Sequence, residues 1–141
     1  MIIKQLSIFL ENKSGRLTEV LKTLSAEKID VKALTVADTS EFGILRMLVS
    51  KPEHAFTLLR EKGFSVNLTD VLGIATPREA GSFAHAMSLL SDKNISIEYV
   101  YAFSIGEKAV IVMRTEDTEK AIRAIRENNM ELLDAVEFNN L

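Results

Sequence analysis

The sequence predicts an α+β protein built from two copies of one βαββαβ unit. One observation is that the chain matches itself at a constant offset of 66 positions, which aligns Gly15 with Gly81 and Met47 with Met113. Twelve of the 56 positions aligned in this way are identical, whereas unrelated sequence would give roughly 3 or 4. The other observation is that strand-like and helix-like apolar periods follow each other in the same order in both copies. A repeat of this kind sets the architecture.

The first copy opens with a predicted strand over residues 3–10, because Leu6, Ile8 and Leu10 alternate with other residues along it. Polar residues then interrupt the strand, and Ser14 is the predicted N-cap of a helix. Apolar residues in that helix recur at the spacing of one helical face. They are Leu17, Val20, Leu21 and Leu24.

Two further strands are predicted over residues 31–37 and 44–49, joined by a polar turn. The segment Ser50-Lys51-Pro52-Glu53 has the pattern of a capping box with proline in the first turn, which predicts a second helix. Gly63 is expected to end that helix, and residues 64–68 supply the fourth strand.

The second copy repeats this order. Its predicted strands are residues 71–75, 95–104, 109–114 and 132–136. Its predicted helices are one with Phe83, Ala86, Met87 and Leu90 on its apolar face and one over residues 116–128. Two helices and four strands in this order predict a ferredoxin-like sandwich, with antiparallel sheets and the helices on one face. The predicted domains are residues 1–69 and 70–141.

The sheet face away from the helices is expected to be unusually apolar. Leu34, Val36, Val100 and Ala102 are assigned to the helix side of the second strand of each copy. The other face then carries Val31, Ala33, Thr35 and Ala37 in the first copy and Ile97, Tyr99, Tyr101 and Phe103 in the second. Because an antiparallel sheet open to water should be polar on that side, we expect a second protomer to cover part of it, as in a homodimer.

Composition excludes several classes of protein. The 141 residues have a formal net charge of −3, which gives no electrostatic footprint for nucleic acid, and they contain no cysteine for a disulfide or thiolate site. His54 and His85 are isolated on predicted helices, so no metal site is expected. No nucleophile–base set is visible, so we expect no catalytic residue and no cofactor. Without a signal peptide or a membrane-spanning apolar run, a cytoplasmic protein is expected.

The segment Ile8-Phe9-Leu10-Glu11-Asn12-Lys13-Ser14-Gly15-Arg16-Leu17, followed by Ile29-Asp30-Val31, resembles the ACT domain. That family's pattern is a strand, Asn-x-Pro-Gly-x-Leu, a helix and a polar residue entering the second strand. The resemblance covers the whole chain as two tandem copies. It implies a regulatory module that binds an amino acid or a similar small metabolite at an interface between paired domains.

Carried over residue by residue, the resemblance implies that Asn12 contacts the ligand and that Gly15 is the loop glycine. Ser14 stands where proline is usual, and Asp30 stands at the polar position that begins the second strand. Such a carboxylate would accept from the ligand's ammonium group, while loop N–H groups hold its carboxylate. The neighbouring residues Arg16, Leu17 and Val31 complete the expected first-copy site.

The second copy departs further from the family pattern. Arg78 replaces the asparagine, Ser96 replaces the polar strand residue, and Gly81 alone is intact, with Ser82 and Phe83 beside it. Arg78 is either a clamp for a carboxylate or a solvated arginine. The segment 76–79 has the pattern of a capping box that would start the helix early. The two sites should therefore be unequal, with the first-copy loop favoured.

Three classes of function remain open at this level. The first is a stand-alone sensor that binds an amino acid and alters its own assembly or a partner enzyme. The second is a ferredoxin-like enzyme such as an acylphosphatase-like hydrolase, although the glycine-rich phosphate loop of that class is missing. The third is an RNA-binding module, which the aromatic residues Tyr99, Tyr101 and Phe103 would suit, although the surrounding consensus is absent.

Overall fold

The computed structural model describes residues 2–11, 13–38 and 41–141. The elements of the first part of the chain are β1 (Ile3–Glu11), α1 (Arg16–Ala26), β2 (Val31–Asp38), β3 (Phe42–Val49), α2 (Pro52–Glu61) and β4 (Ser65–Pro77). Those of the second part are α3 (Ser82–Asp92), β5 (Ile97–Ile105), β6 (Lys108–Thr115), α4 (Thr118–Glu127), β7 (Glu131–Leu133) and α5 (Ala135–Asn139). We call Lys4–Thr69 the N-terminal unit, and Asp70–Leu141 with Ile2 and Ile3 the C-terminal unit.

The N-terminal unit is an antiparallel sheet with two helices on one face. Its strands lie in the order β4, β1, β3, β2. Leu6 of β1 pairs with Met47 of β3, and Ile8 pairs with Leu45. These four side chains therefore point to the same face of the sheet. Fully buried residues of α1 and α2 complete the core on that side, and they are Val20, Leu24, Ala55 and Leu59.

The C-terminal unit repeats this arrangement. Its strands lie in the order β7, β4, β6, β5. Leu72 pairs with Met113 and Ile74 with Ile111, and these four side chains meet α3 and α4 in a second core. The α+β class and the two βαββαβ repeats predicted from the sequence are confirmed.

One strand replaces two of the predicted ones. The sequence pattern separates residues 64–68 from 71–75, whereas the structure has the single 13-residue strand β4. Ile3, which the sequence assigns to the first domain, packs in the C-terminal unit. A Cβ added to Gly73 would lie 2.9 Å from the Cδ1 atom of Ile3.

The predicted orientation of Val31 and Ile97 is wrong, because β2 and β5 each contain a β-bulge next to these residues. The register of β2 against β3 shifts between Val31 and Ala33, and that of β5 against β6 shifts between Ile97 and Tyr99. Because a bulge inserts one residue, it turns the preceding side chain to the other face. Val31 and Ile97 therefore pack against the helix-side cores and not on the opposite face.

The sheet face away from the helices is partly covered by the chain itself in the C-terminal unit. Phe138 of α5 is 2% exposed, and its ring meets Phe103 of β5 edge to face, with centroids 6.1 Å apart. Residues 132–136 were predicted to be a strand, whereas the strand β7 ends at Leu133 and α5 begins at Ala135. Its start is a capping box between Asp134 and Glu137. The packing also occupies one of the aromatic residues that an RNA-binding surface would need.

Three predicted helix caps are wrong, although α2 does begin with proline in its first turn. The N-cap of α1 is Gly15 and not Ser14. The N-cap of α2 is Lys51, and the Ser50 hydroxyl instead accepts a hydrogen bond of 3.0 Å from the Asp30 backbone N–H. The segment 76–79 starts no helix, because residues 76 and 77 still belong to β4.

Candidate functional site

The loops that lead into α1 and α3 have the same backbone geometry. Gly15 has φ and ψ of 88° and −8°, and Gly81 has 91° and −11°. Each glycine is the N-cap of its helix, and neither helix start has a side-chain cap among the described residues. The Arg16 and Ser82 N–H groups donate to the Lys13 and Glu79 carbonyl oxygens. Among the described residues, the N–H groups of the next two positions of each helix have no such partner, and they lie at the positive end of a helix dipole.

The glycines are explained by backbone conformation and not by close packing. A Cβ added at Gly15 or Gly81 would meet no described atom within 4 Å. The positive φ angles, however, lie in the left-handed region, which other L-residues enter only with strain. The two glycines are therefore required for their backbone angles, since a side chain at either position would have room.

The residues around the first loop form a charged surface. The Arg16 guanidinium lies 5.2 Å from the centroid of the Phe64 ring and 3.1 Å from the Glu19 carboxylate. The Lys13 ammonium lies 2.8 Å from the Glu11 carboxylate. The hydrogen bond and then the charge of Lys13 lower the pKa of Glu11. Arg16 is thus held by intramolecular partners.

The other predicted residues of this loop are placed as follows. Ser14 is exposed, and Leu17 is half-buried with its side chain packed against the core of the N-terminal unit. Asn12, to which the resemblance assigns a ligand contact, lies outside the described residues.

Asp30 and Val31 lie at the opposite end of the same sheet from this loop. Glu11 at the end of β1 pairs with Phe42 at the start of β3, whereas Val31 pairs with Val49 at its end. The two ends are separated by roughly 20 Å at about 3.4 Å per residue. The Asp30 carboxylate forms a 3.4 Å ion pair with Lys32. A single amino acid therefore cannot touch the Gly15 loop and Asp30 of the same unit.

The second loop borders an open cavity at the surface. A space of about 390 Å³ is lined by Arg78, Gly81, Phe83 and Ser104, among others. The Arg78 guanidinium donates a 2.9 Å hydrogen bond to the Gly106 carbonyl oxygen in the turn between β5 and β6. This contact fixes the arginine beside the cavity. Ser104 was not predicted as a site residue. An antiparallel pairing of the second and third strands of this copy would have placed the β5–β6 turn, and Ser104 with it, beside this loop.

Ser96 does not join the second loop. Its carbonyl oxygen accepts a 3.2 Å hydrogen bond from the Glu116 N–H, beyond the end of β6. Pro77, which precedes the loop, pairs with Lys108 at the other end of that strand. Ser96 lines a separate open space among acidic residues of the α4 start, including Glu116, Asp117 and Glu119. The structure thus brings together Arg78, Gly81 and Phe83 and leaves Ser96 apart.

The acidic residues and histidines of the described part of the chain do not form a metal-binding group. Among them, no three His, Asp or Glu side chains lie close enough to hold a metal ion. His54 and His85 are both exposed. Within residues 2–11, 13–38 and 41–141, no helix has the length and apolar character that a membrane span requires.

Comparisons with known proteins agree with this architecture. A family model described as an ACT domain pair matches residues 1–141. A solved protein from Bacteroides thetaiotaomicron is 44% identical, with a TM-score of 0.96, and the alignment covers 100% of this chain and 98% of that one. No curated protein matches.

More distant structures share the fold. The ligand-free regulatory subunit of aspartate kinase from Thermus thermophilus is 16% identical with a TM-score of 0.65, and the alignment covers 89% of this chain and 92% of that one. A putative C-terminal regulatory domain of aspartate kinase from Porphyromonas gingivalis is 13% identical with a TM-score of 0.52, and the corresponding coverages are 90% and 93%.

Proposed function

The chain belongs to the family of ACT domain pairs, and from this premise we propose that it is a regulatory protein that binds a free amino acid or a similar small metabolite. It acts by binding and not by catalysis. Its output is a change in its own assembly or in the activity of a partner enzyme of amino-acid metabolism. The aspartate kinase regulatory subunit and domain named above, which have the same fold, are precedents for such a role.

The observation that carries this proposal is the repeated loop geometry at Gly15 and Gly81. Two helix starts without a side-chain cap among the described residues, each behind a left-handed glycine, suit the carboxylate of an amino acid. Asn12 and Arg16 flank the first loop, and Arg78 and Phe83 flank the second. The sites are unequal, because Arg78 at the second loop donates to a backbone carbonyl oxygen, whereas Arg16 at the first loop is paired with the Glu19 carboxylate.

The ammonium group of the ligand needs an acceptor that is not in the same unit as the loop. Asp30 is a suitable carboxylate, but its own loop lies roughly 20 Å away at about 3.4 Å per strand residue. We therefore propose that the ligand bridges a loop of one protomer and the β2 start of its partner in a homodimer. Ligand binding would then be coupled directly to assembly.

Thermal denaturation with each of the twenty amino acids tests this function. At least one of them should raise the melting temperature, because a ligand at 100 times its Kd adds about 2.7 kcal/mol to the free energy of unfolding. Asn12→Ala and Asp30→Asn should each remove the shift. Asp92→Asn serves as the matched control, since Asp92 is an exposed aspartate at the end of α3, and it should leave the shift unchanged.

Melting curves that stay flat with all twenty amino acids at millimolar concentration would contradict the proposal. A shift that survives both Asn12→Ala and Asp30→Asn would contradict the assigned residues. Size-exclusion chromatography with and without the active amino acid adds the second readout, because a bridging ligand should shift the monomer–dimer distribution.

A further inference from the structure

An apolar row crosses the N-terminal unit on the sheet face away from α1 and α2. Phe9 of β1 pairs with Ile44 of β3, and Ile44 pairs with Ala37 of β2. The strand neighbours Ile8 and Leu45 belong to the helix-side core, so the side chains of this row point to the opposite face. Phe9 is 50% exposed, Ala37 is exposed and Ile44 is half-buried. The row is therefore an apolar surface in contact with water.

The next row of the same face extends this surface. Phe42 pairs with Glu11, two residues further along β1, and Phe42 is 47% exposed. The Glu11 carboxylate lies 2.8 Å from the Lys13 ammonium, so the charge beside Phe42 is compensated. An exposed apolar patch on a folded chain marks a contact with another molecule. The N-terminal apolar patch consists of Phe9, Ala37, Phe42 and Ile44.

The C-terminal unit covers the equivalent row with a helix. At the offset of 66 residues this row is Ala75, Val110 and Phe103, paired across β4, β6 and β5. Ala75 is 7% exposed and Val110 is 1% exposed, and the ring of Phe138 in α5 meets Phe103 edge to face. The order of the side chains is reversed, because the phenylalanine is on the edge strand here and on the inner strand in the N-terminal unit. Each row thus offers one ring to an aromatic side chain of a covering helix.

The N-terminal unit cannot form its own counterpart of α5. At the same offset Asp134, the N-cap of α5, corresponds to Leu68, and the residues of α5 correspond to 69–73. These positions lie within β4, which leads directly into the C-terminal unit. Duplication has therefore left the first sheet with the apolar row and without the helix that covers it in the second. A helix on this row would belong to another chain.

The size of the N-terminal apolar patch favours a short helix over a second copy of this chain. A half-exposed phenylalanine offers roughly 100 Å², so the patch as a whole offers roughly 300 Å². A dimer interface of standard size buries about 800 Å² on each partner. An amphipathic helix of about two turns needs less, because it contacts the surface through one apolar stripe.

We propose that a short amphipathic helix of a partner protein docks on the N-terminal apolar patch, with an aromatic side chain over Ile44 and beside the Phe9 ring. This contact is the counterpart of Phe138 against Phe103 in the C-terminal unit. The proposal rests on the proposed function for the role of the partner, since a regulatory protein of this kind acts on another chain. It uses neither of the loops at Gly15 and Gly81, so amino-acid binding and helix docking can fail separately.

Nuclear magnetic resonance titration of the full chain with a defined peptide tests this surface. The peptide has the sequence of residues 131–141, with a hydrocarbon bridge between positions 136 and 140, which are both exposed in the chain. The bridge holds the helix, because a free helix of this length is unstable in water and ordering it would weaken binding. The backbone amides of Phe9, Ala37 and Ile44 should shift in a saturable way. The same peptide with Phe138→Ala should bind about tenfold more weakly or worse, as expected for loss of an aromatic anchor.

Matched variants of the chain decide whether the patch is responsible. Phe9→Ser should weaken binding of the bridged peptide about tenfold or more. Leu34→Ser is the control, because Leu34 is 43% exposed in the same unit but pairs with Met47 on the helix side of the sheet. This control should leave the Kd of the peptide unchanged.

The proposal is overturned if the wild-type chain gives no saturable shift, or if Phe9→Ser and Leu34→Ser bind the peptide equally well. Shifts confined to Phe103 and Val110 would also contradict it, because the peptide would then have replaced α5. Sedimentation velocity tests the other occupant. A wild-type dimer that Phe9→Ser dissociates would assign the patch to a second copy of this chain and show the proposal to be wrong.

Discussion

At positions 15 and 81 the backbone takes left-handed angles that glycine adopts without strain. The same alignment relates Lys28 to Asn94 and Gly63 to Asn129, and all four of these residues also have positive φ. Each copy therefore keeps its unusual backbone angles at corresponding sites while changing the residues. The loop glycines differ from the others in that they lie at uncapped helix starts, where a ligand can use the backbone donors.

Replacing Gly15 by alanine should lower the free energy of unfolding by about 1–2 kcal/mol, the usual cost of a left-handed non-glycine residue. The added Cβ meets no described atom within 4 Å, so no steric term is expected. Gly15→Asn is the matched variant, and it should cost less because asparagine tolerates this region. Urea unfolding measures both. Equal losses in the two variants would show that the cost is not conformational.

Thr115 is a buried residue whose hydroxyl is expected to lower the free energy of unfolding. It is 5% exposed, and its Oγ1 has no partner among the described residues. We expect Thr115→Val to leave the free energy of unfolding unchanged or to raise it by about 1 kcal/mol, because an unsatisfied buried polar group is lost. A clear destabilisation in urea unfolding would mean that the hydroxyl has a partner in solution.

At the scale of the elements, the strands and the four long helices could be predicted because their apolar periods are strong. Leu17, Val20 and Leu24 mark α1 as clearly as Phe83, Ala86 and Leu90 mark α3. What could not be predicted depends on single backbone hydrogen bonds. The bulges after Val31 and Ile97 leave no mark in the apolar pattern, and Ser50 bonds to Asp30 instead of capping α2.

The short helix α5 was missed because five residues give too little periodicity. Its function is nevertheless clear from its packing, since Phe138 covers Phe103 on the face of the sheet away from α3 and α4. A capping box between Asp134 and Glu137 fixes its start. In the C-terminal unit, α5 therefore covers part of the sheet face that a second protomer was expected to cover.

Phe138→Ala should lower the free energy of unfolding by about 3–5 kcal/mol, because the side chain is 2% exposed and its removal leaves a cavity. Val136→Ala in the same helix is the matched control. Val136 is 69% exposed, and its truncation should change stability by less than about 0.5 kcal/mol. Chemical denaturation of both variants provides the comparison. Similar small effects for the two residues would show that α5 does not pack on the sheet.

At the scale of the whole molecule, duplication preserved the fold and changed the surfaces. In the N-terminal unit the sheet face away from the helices has a hydroxyl contact of 3.3 Å between Ser7 and Thr69. The position equivalent to Ser7 in the C-terminal unit is Gly73, against which Ile3 packs. Copies that diverge in this way retain one architecture and acquire different binding properties.

The fold could be predicted from the sequence because the repeat shows the same order of apolar patterns twice, so each copy supports the assignment of elements in the other. The site could be predicted only in part. Gly15 and Gly81 were found through the repeat, but the distance between the loop and Asp30 follows from strand register, which the apolar pattern alone does not give. Ser104 was missed because the strand pairing that brings the end of β5 beside the Gly81 loop is likewise absent from the apolar pattern.

The most direct test of the central claim is a crystal structure of the chain with the amino acid that raises its melting temperature most. We predict electron density for that amino acid at the start of α1 or α3, with its carboxylate within hydrogen-bond distance of the backbone N–H groups of the first helical turn after Gly15 or Gly81. Density for the amino acid only at a place remote from both helix starts would contradict it.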